Sequence, residues 1–102
     1  MLTSRSNPTI KAIRALRQRK EREATQRFLI EGIRIVAEAI ECRAPLESLV
    51  VAPELLTSSY ALDLVQYQRE HGTSIIETSA DVFASLSNKD HPQGLAAVGQ
   101  QL

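Results

Sequence analysis

The chain has one cysteine, Cys42, so it cannot form an internal disulfide. A lone thiol fits a reducing compartment, and the cytoplasm is the expected location. Tryptophan is absent and aromatic residues make up 4% of the chain. Phe28 and Phe83 fall at core positions, which leaves Tyr60 and Tyr67, too few to favour recognition by stacking on exposed bases. No apolar run approaches the roughly 20 residues of a membrane helix, and no signal-peptide core follows Met1, so neither a spanning nor a secreted protein is expected. The four glycines (Gly32, Gly72, Gly94 and Gly99) stand singly, which excludes the glycine-rich loops that cradle nucleotide phosphates. Cys42, His71 and His91 lack any metal-ligand spacing, so no zinc site is expected. Asp90 and His91 could join a serine in a nucleophilic triad on paper, but no nucleophile motif accompanies them.

The 102 residues suit one domain, and 43% apolar with 24% charged residues is a globular composition. The twelve basic and twelve acidic side chains cancel in total but not along the chain. Residues 1–34 hold nine bases and three acids, a net +6, and the remainder is −6. Such polarity suggests that one end meets a polyanion. The acid-free first twenty residues also look like a mitochondrial transit peptide. They carry their own helix start and run into the next element without a cleavage-like break, so they are read as part of the fold.

Asn7-Pro8 opens a first helix, because asparagine caps free amides and proline at the first helical position loses no hydrogen bond. Ile10, Ile13 and Leu16 share its core side, with Lys11, Arg14, Gln18 and Arg22 opposite. Phe28 to Ile30 is too short and too continuously apolar for another helix and reads as a buried strand before Gly32. Ile33, Val36 and Ile40 return to helical spacing, with Arg34 and Glu38 placed as an i,i+4 pair. Leu46 to Ala52 is a second strand, stopped by Pro53. Tyr60, Leu64 and Tyr67 mark a helix ending at His71-Gly72, Ser74 to Glu77 a third strand, and Val82, Phe83 and Leu86 a short helix capped by Thr78 or Ser79. After the polar turn Asp90-His-Pro-Gln-Gly94, Gly94 to Val98 forms the last strand. The alternation predicts an α/β fold: a three-layer α/β/α sandwich on a mixed, largely parallel sheet of about four strands.

The basic helix has two readings: Arg17 to Glu23 includes acids for local pairing on a solvated face, whereas guanidinium groups gathered on one side suit phosphates of folded RNA. Three ordered stretches bear on the choice: Ser6-Asn-Pro-x-Ile-Lys11 with the arginines after it, Arg27-Phe-Leu-Ile-Glu-Gly32, and His91-Pro-Gln-Gly94 before an apolar strand. Together they resemble the N-terminal substrate-binding domain of SpoU/TrmH-type RNA 2′-O-ribose methyltransferases, over nearly the whole chain.

The resemblance implies a fold like ribosomal protein L30e and a role in holding structured RNA, ribosomal rather than transfer RNA. It implies no cofactor on this chain. A knotted catalytic domain that binds S-adenosylmethionine is expected after residue 102, which makes 1–102 the RNA-binding part, inactive alone. The same resemblance implies a parent homodimer, with the isolated domain monomeric. Its RNA-binding positions are Asn7, Lys11, Arg14, Arg17, Arg19, Lys20, Arg22, Arg27, the Glu31-Gly32 corner and Arg34. Glu31 could instead cap the second helix. Two other readings stand beside this one. The first is a free-standing L30e-like RNA binder. The second is a protein-interaction module in which Glu38, Glu41, Glu47 and Glu54 meet the basic end of another copy.

Overall fold

Two strands buried on both faces organise the molecule. In β2 (Leu46–Val51) and β4 (Leu95–Gln100), successive side chains alternate between two cores. Val50, Ala52, Ala96 and Val98 face one side of the sheet, and Leu49, Val51, Leu95 and Ala97 face the other. That double burial explains why Leu49-Val-Val-Ala52 and Leu95-Ala-Ala-Val98 are continuously apolar rather than alternating. The computed structural model describes residues 1–101; the expected domain end, Leu102, lies outside the described residues.

Helices α1 (Pro8–Ala15) and α5 (Ala80–Leu86) cover the first face with Ile10, Ile13, Val82, Phe83 and Leu86. Helices α3 (Ile33–Glu41) and α4 (Ser59–Glu70) cover the second with Val36, Ala61 and Val65. The three-layer sandwich is therefore present, with β1 (Arg27–Glu31) and β3 (Ser74–Glu77) completing a sheet of order β1-β4-β2-β3. A further short helix, α2 (Arg19–Thr25), lies against β1 and buries no residue fully. No helix among the described residues is long and apolar enough to cross a membrane.

The sheet is less parallel than the alternation of elements predicts. Strands β1, β2 and β3 share a direction, but β4 runs against both of its neighbours, so only the β2–β3 ladder is parallel. The placement of α5 accounts for this. The twelve residues of α4 rise about 18 Å and carry the chain back to the start of the sheet. Helix α5 instead begins beside the end of β2, where Thr78 N–H donates to the Val51 carbonyl, and finishes beside the end of β1, where Ser87 meets Glu31, so β4 enters from the end where β3 finished.

The caps agree with the sequence. Asn7 Oδ1 accepts from the backbone N–H groups of Thr9 (2.8 Å) and Ile10 (3.3 Å). Ser79 Oγ accepts from Val82 N–H at 3.2 Å and so starts α5. The first helix, however, ends at Ala15, although the apolar spacing continues to Leu16. Arg22 reaches back from α2 and donates to the carbonyl oxygens of Leu16 (3.0 Å) and Arg17 (2.9 Å). Those acceptors would otherwise lack partners at a helix end. One long basic face is thus replaced by two short helices with a turn between them.

Candidate nucleic-acid interface

Three segments far apart in sequence meet beside the end of β1: the α1–α2 turn, the β1–α3 corner and the loop from α5 to β4. Glu31 joins them. Its carboxylate accepts from the Ser87 hydroxyl at 2.5 Å and from Asn88 N–H at 3.4 Å, and its carbonyl accepts from Lys89 Nζ at 3.3 Å. Glu31 is therefore not the cap of α3. Gln93 fills that place, with Oε1 accepting from Ile33 N–H at 2.9 Å.

Two glycines make the junction possible. Gly32 has φ +115°, and a Cβ there would lie 2.9 Å from Lys89 Nζ. Gly94 has φ +90°, and a Cβ would lie 2.8–2.9 Å from Leu55 Cβ, Ala52 O and Leu56 N. Both positions need the left-handed freedom of glycine, and Gly94 also needs its lack of a side chain, because backbone atoms that cannot move aside press on it, whereas the flexible Lys89 end can yield at Gly32. His91-Pro-Gln-Gly94 is thus a structural turn whose glutamine and glycine lock the loop onto α3 and the sheet, while His91 is exposed.

The junction forms two adjoining hollows. One, of about 530 Å³, has Leu16, Leu29, Ile30 and Leu86 among its lining, with Arg17, Arg22, Asn88 and Lys89 supplying polar groups. The other, of about 470 Å³, is lined by Gly32, Arg34, Glu38 and Gln93 and shares Glu31, Ile35 and Lys89 with the first. Four cations thus line one concave surface, against Glu31, already hydrogen-bonded, and Glu38. The Arg34 side chain is 94% exposed and faces Glu38 across 3.5 Å. An exposed pair of this kind is weak, so the guanidinium is free to turn to a phosphate.

The predicted positions divide accordingly. Arg17, Arg22, Glu31, Gly32 and Arg34 come together in this groove. Lys11 and Lys20 are exposed but line neither hollow. Asn7 serves as the cap of α1. Arg19 pairs with Glu23 at 2.9 Å and Arg27 with Glu47 at 2.9 Å. Arg14 points into the molecule: Nη2 donates to Ser85 Oγ (2.8 Å) and to the Arg5 carbonyl (3.0 Å), and Nε donates to the Ser85 carbonyl (3.3 Å). Arg17 also donates to the Ser87 carbonyl at 3.0 Å, which tethers the turn to the loop. Lys89 and Asn88 carry no motif in the sequence, whereas Gln93 belongs to the His91-Pro-Gln-Gly94 stretch. The signal available was Lys89 itself, one of three bases in the acidic remainder of the chain.

The acids suggested for a protein-docking surface are mostly engaged within the chain. Glu38 pairs with Arg34, Glu47 holds Arg27 and Gln100, and Glu54 accepts from Ala80 N–H at 3.3 Å.

Residues 7–97 match the family model described as the MRM3-like substrate binding domain. The chain belongs to this family. The chain is 32% identical over 97 residues to the 23S rRNA (guanosine(2553)-2′-O)-methyltransferase RlmP of Bacillus subtilis, covering 95% of itself and 36% of that protein. Among solved structures it resembles an RNA 2′-O ribose methyltransferase (TM-score 0.81, 33% identity), covering 99% of itself and 37% of that chain. It also resembles an rRNA methyltransferase from Sinorhizobium meliloti (TM-score 0.80, 27% identity), covering 99% of itself and 36% of that chain. A second structure of the Sinorhizobium meliloti rRNA methyltransferase is described as AdoMet-bound. The chain thus spans little more than a third of the relatives it matches.

Proposed function

We propose that this MRM3-like domain holds structured RNA for an S-adenosylmethionine-dependent 2′-O-ribose methyltransferase, in the groove between the α1–α2 turn, the β1–α3 corner and the 87–93 loop. The observation that carries the reading is the convergence of Arg17, Arg22, Arg34 and Lys89 on one concave surface. Bent or folded RNA presents several phosphates to such a surface at once, and guanidinium groups match them in planar pairs of hydrogen bonds. The floor contributed by Leu29, Ile30 and Ile35 supports the riboses and bases that lie between those phosphates.

Methyl transfer belongs, on this reading, to a domain that follows residue 102 in the parent protein. S-adenosylmethionine would supply an electrophilic methyl group there. The groove does not fit that cofactor: the glycines stand singly and its two hollows are open and lined by cations, so no step is routed through this chain. Its own part is to bind and orient RNA. The parent is a cytoplasmic homodimer acting on ribosomal rather than transfer RNA, with contacts between copies made outside this domain, so the isolated piece is monomeric. The relatives' names, which specify rRNA, support that choice of substrate.

The test is binding of the chain to a structured rRNA fragment and to duplex DNA of equal length across a salt series. The RNA binds more tightly, with a steep slope. Arg17→Ala and Lys89→Ala each reduce that slope by about one unit. Equal, weak binding to both nucleic acids refutes the proposal.

A further inference from the structure

Beside the groove, between α3 and the start of α4, lies a third hollow of about 450 Å³ that no positive charge run in the sequence predicts. It is lined by Ile33, Ala37, Tyr60 and Glu41, and by Arg34, Glu38 and Gln93, which also line the RNA groove. The volume is that of a small-ligand cleft, typically about 300–1,000 Å³. Tyr60 is 55% exposed although it is a large aromatic residue. The other surface tyrosine, Tyr67, is stacked on His71 with ring centroids 3.9 Å apart, whereas Tyr60 has no aromatic neighbour among the described residues.

We propose that this hollow seats one unpaired nucleobase of the bound RNA, stacked on Tyr60 while its backbone lies at the Arg34 end. The inference rests on the RNA-binding reading of the adjoining groove. Continuity through Arg34, Glu38 and Gln93 is what identifies the occupant: a strand held by phosphates at Lys89 and Arg34 lies beside a hollow that shares Arg34 with the groove. The apolar floor of Ile33 and Ala37 suits a base rather than a phosphate. Glu41 reinforces that polarity, because a carboxylate repels phosphate and accepts hydrogen bonds from the N–H groups on a base edge. A paired base is already stacked within its helix, so only a loop, bulge or end can deliver one here.

The test uses fluorescence anisotropy with a hairpin RNA carrying an unpaired internal loop and a fully paired hairpin of the same length. The proteins are the unaltered chain, Tyr60→Ala, Tyr60→Phe and Lys89→Ala. Loss of a stacked base weakens binding about tenfold. Tyr60→Ala therefore loses about tenfold on the looped RNA alone, and Tyr60→Phe binds like the unaltered chain. A melting temperature unchanged in Tyr60→Ala establishes that its fold is intact. If Tyr60→Ala binds the looped RNA as well as the unaltered chain while Lys89→Ala loses affinity, the seat is refuted and the groove stands. Equal loss on both RNAs, or a Tyr60→Phe as weak as Tyr60→Ala, also overturns it. Failure of the unaltered chain to bind either RNA removes the groove and this inference together.

Discussion

Arg14 separates two roles that the sequence leaves equivalent, a phosphate contact and an internal clamp. Its guanidinium donates to Ser85 Oγ, the Ser85 carbonyl and the Arg5 carbonyl, and so ties α1 to α5 and to the N-terminal segment. A hydrogen bond from a charged donor contributes about 1.5–3 kcal/mol when its acceptor is left without a substitute. The side chain is half-buried and water can reach some of these acceptors, so Arg14→Ala is expected to cost about 2 kcal/mol in total. For a domain of this size each kcal/mol lowers the melting temperature by about 4–8 °C, giving a drop of about 8–16 °C. Arg14→Lys recovers little, since one ammonium cannot span three acceptors set for a planar fork. The assay is thermal unfolding followed by far-ultraviolet circular dichroism, with RNA affinity measured well below both transitions. A melting temperature within about 2 °C of the unaltered chain, together with a loss of RNA affinity as large as that of Lys89→Ala, refutes the clamp.

Three further outcomes follow from the same geometry. Gly94→Ala forces a left-handed backbone onto a residue whose Cβ meets Leu55, Ala52 and Leu56, and urea unfolding should show a loss of about 2–4 kcal/mol. Gln93→Ala removes the acceptor for Ile33 N–H and should cost about 1 kcal/mol in the same assay, whereas Gln93→Glu keeps an acceptor and most of the stability. The Asp81 carboxyl is held below its ordinary value, chiefly by the hydrogen bond from Arg5 and also by that residue's charge. Because the folded value is depressed, the pair's contribution is present above the ordinary carboxylate range and fades as the pH falls through the folded value. In a carboxyl-carbon NMR titration, Arg5→Ala should move the Asp81 midpoint upward; an unmoved midpoint contradicts the pairing.

Local signals were legible wherever one residue type meets one backbone need. Asn7-Pro8 marks the start of α1, Ser79 that of α5, and the doubly buried runs of β2 and β4 show in their unbroken apolar sequence. The direction of β4 was not legible, because it depends on α5 starting and finishing at the same end of the sheet rather than on any residue in the strand. The end of α1 was hidden for a related reason. Ile10, Ile13 and Leu16 keep helical spacing, no glycine or proline interrupts them, and the turn is closed by Arg22 from the next helix. At the site, the arginine-rich segment and the Glu31-Gly32 corner were visible as composition. Their division into groove residues, clamps and local pairs was not, since a guanidinium looks the same in each role. Lys89 carries no local signal, because Glu31 is 58 residues away in sequence and meets it only in the folded chain.

The most direct measurement is a titration of isotope-labelled chain with a structured rRNA fragment, following backbone amide NMR shifts. The account predicts that the perturbed amides cluster at 16–22, 30–35 and 87–93, with little change along β3 and on Lys11. Shifts confined to the outer face of α1, or concentrated at β3, would contradict the claim that RNA is held where the α1–α2 turn, the Glu31-Gly32 corner and the Lys89 loop converge.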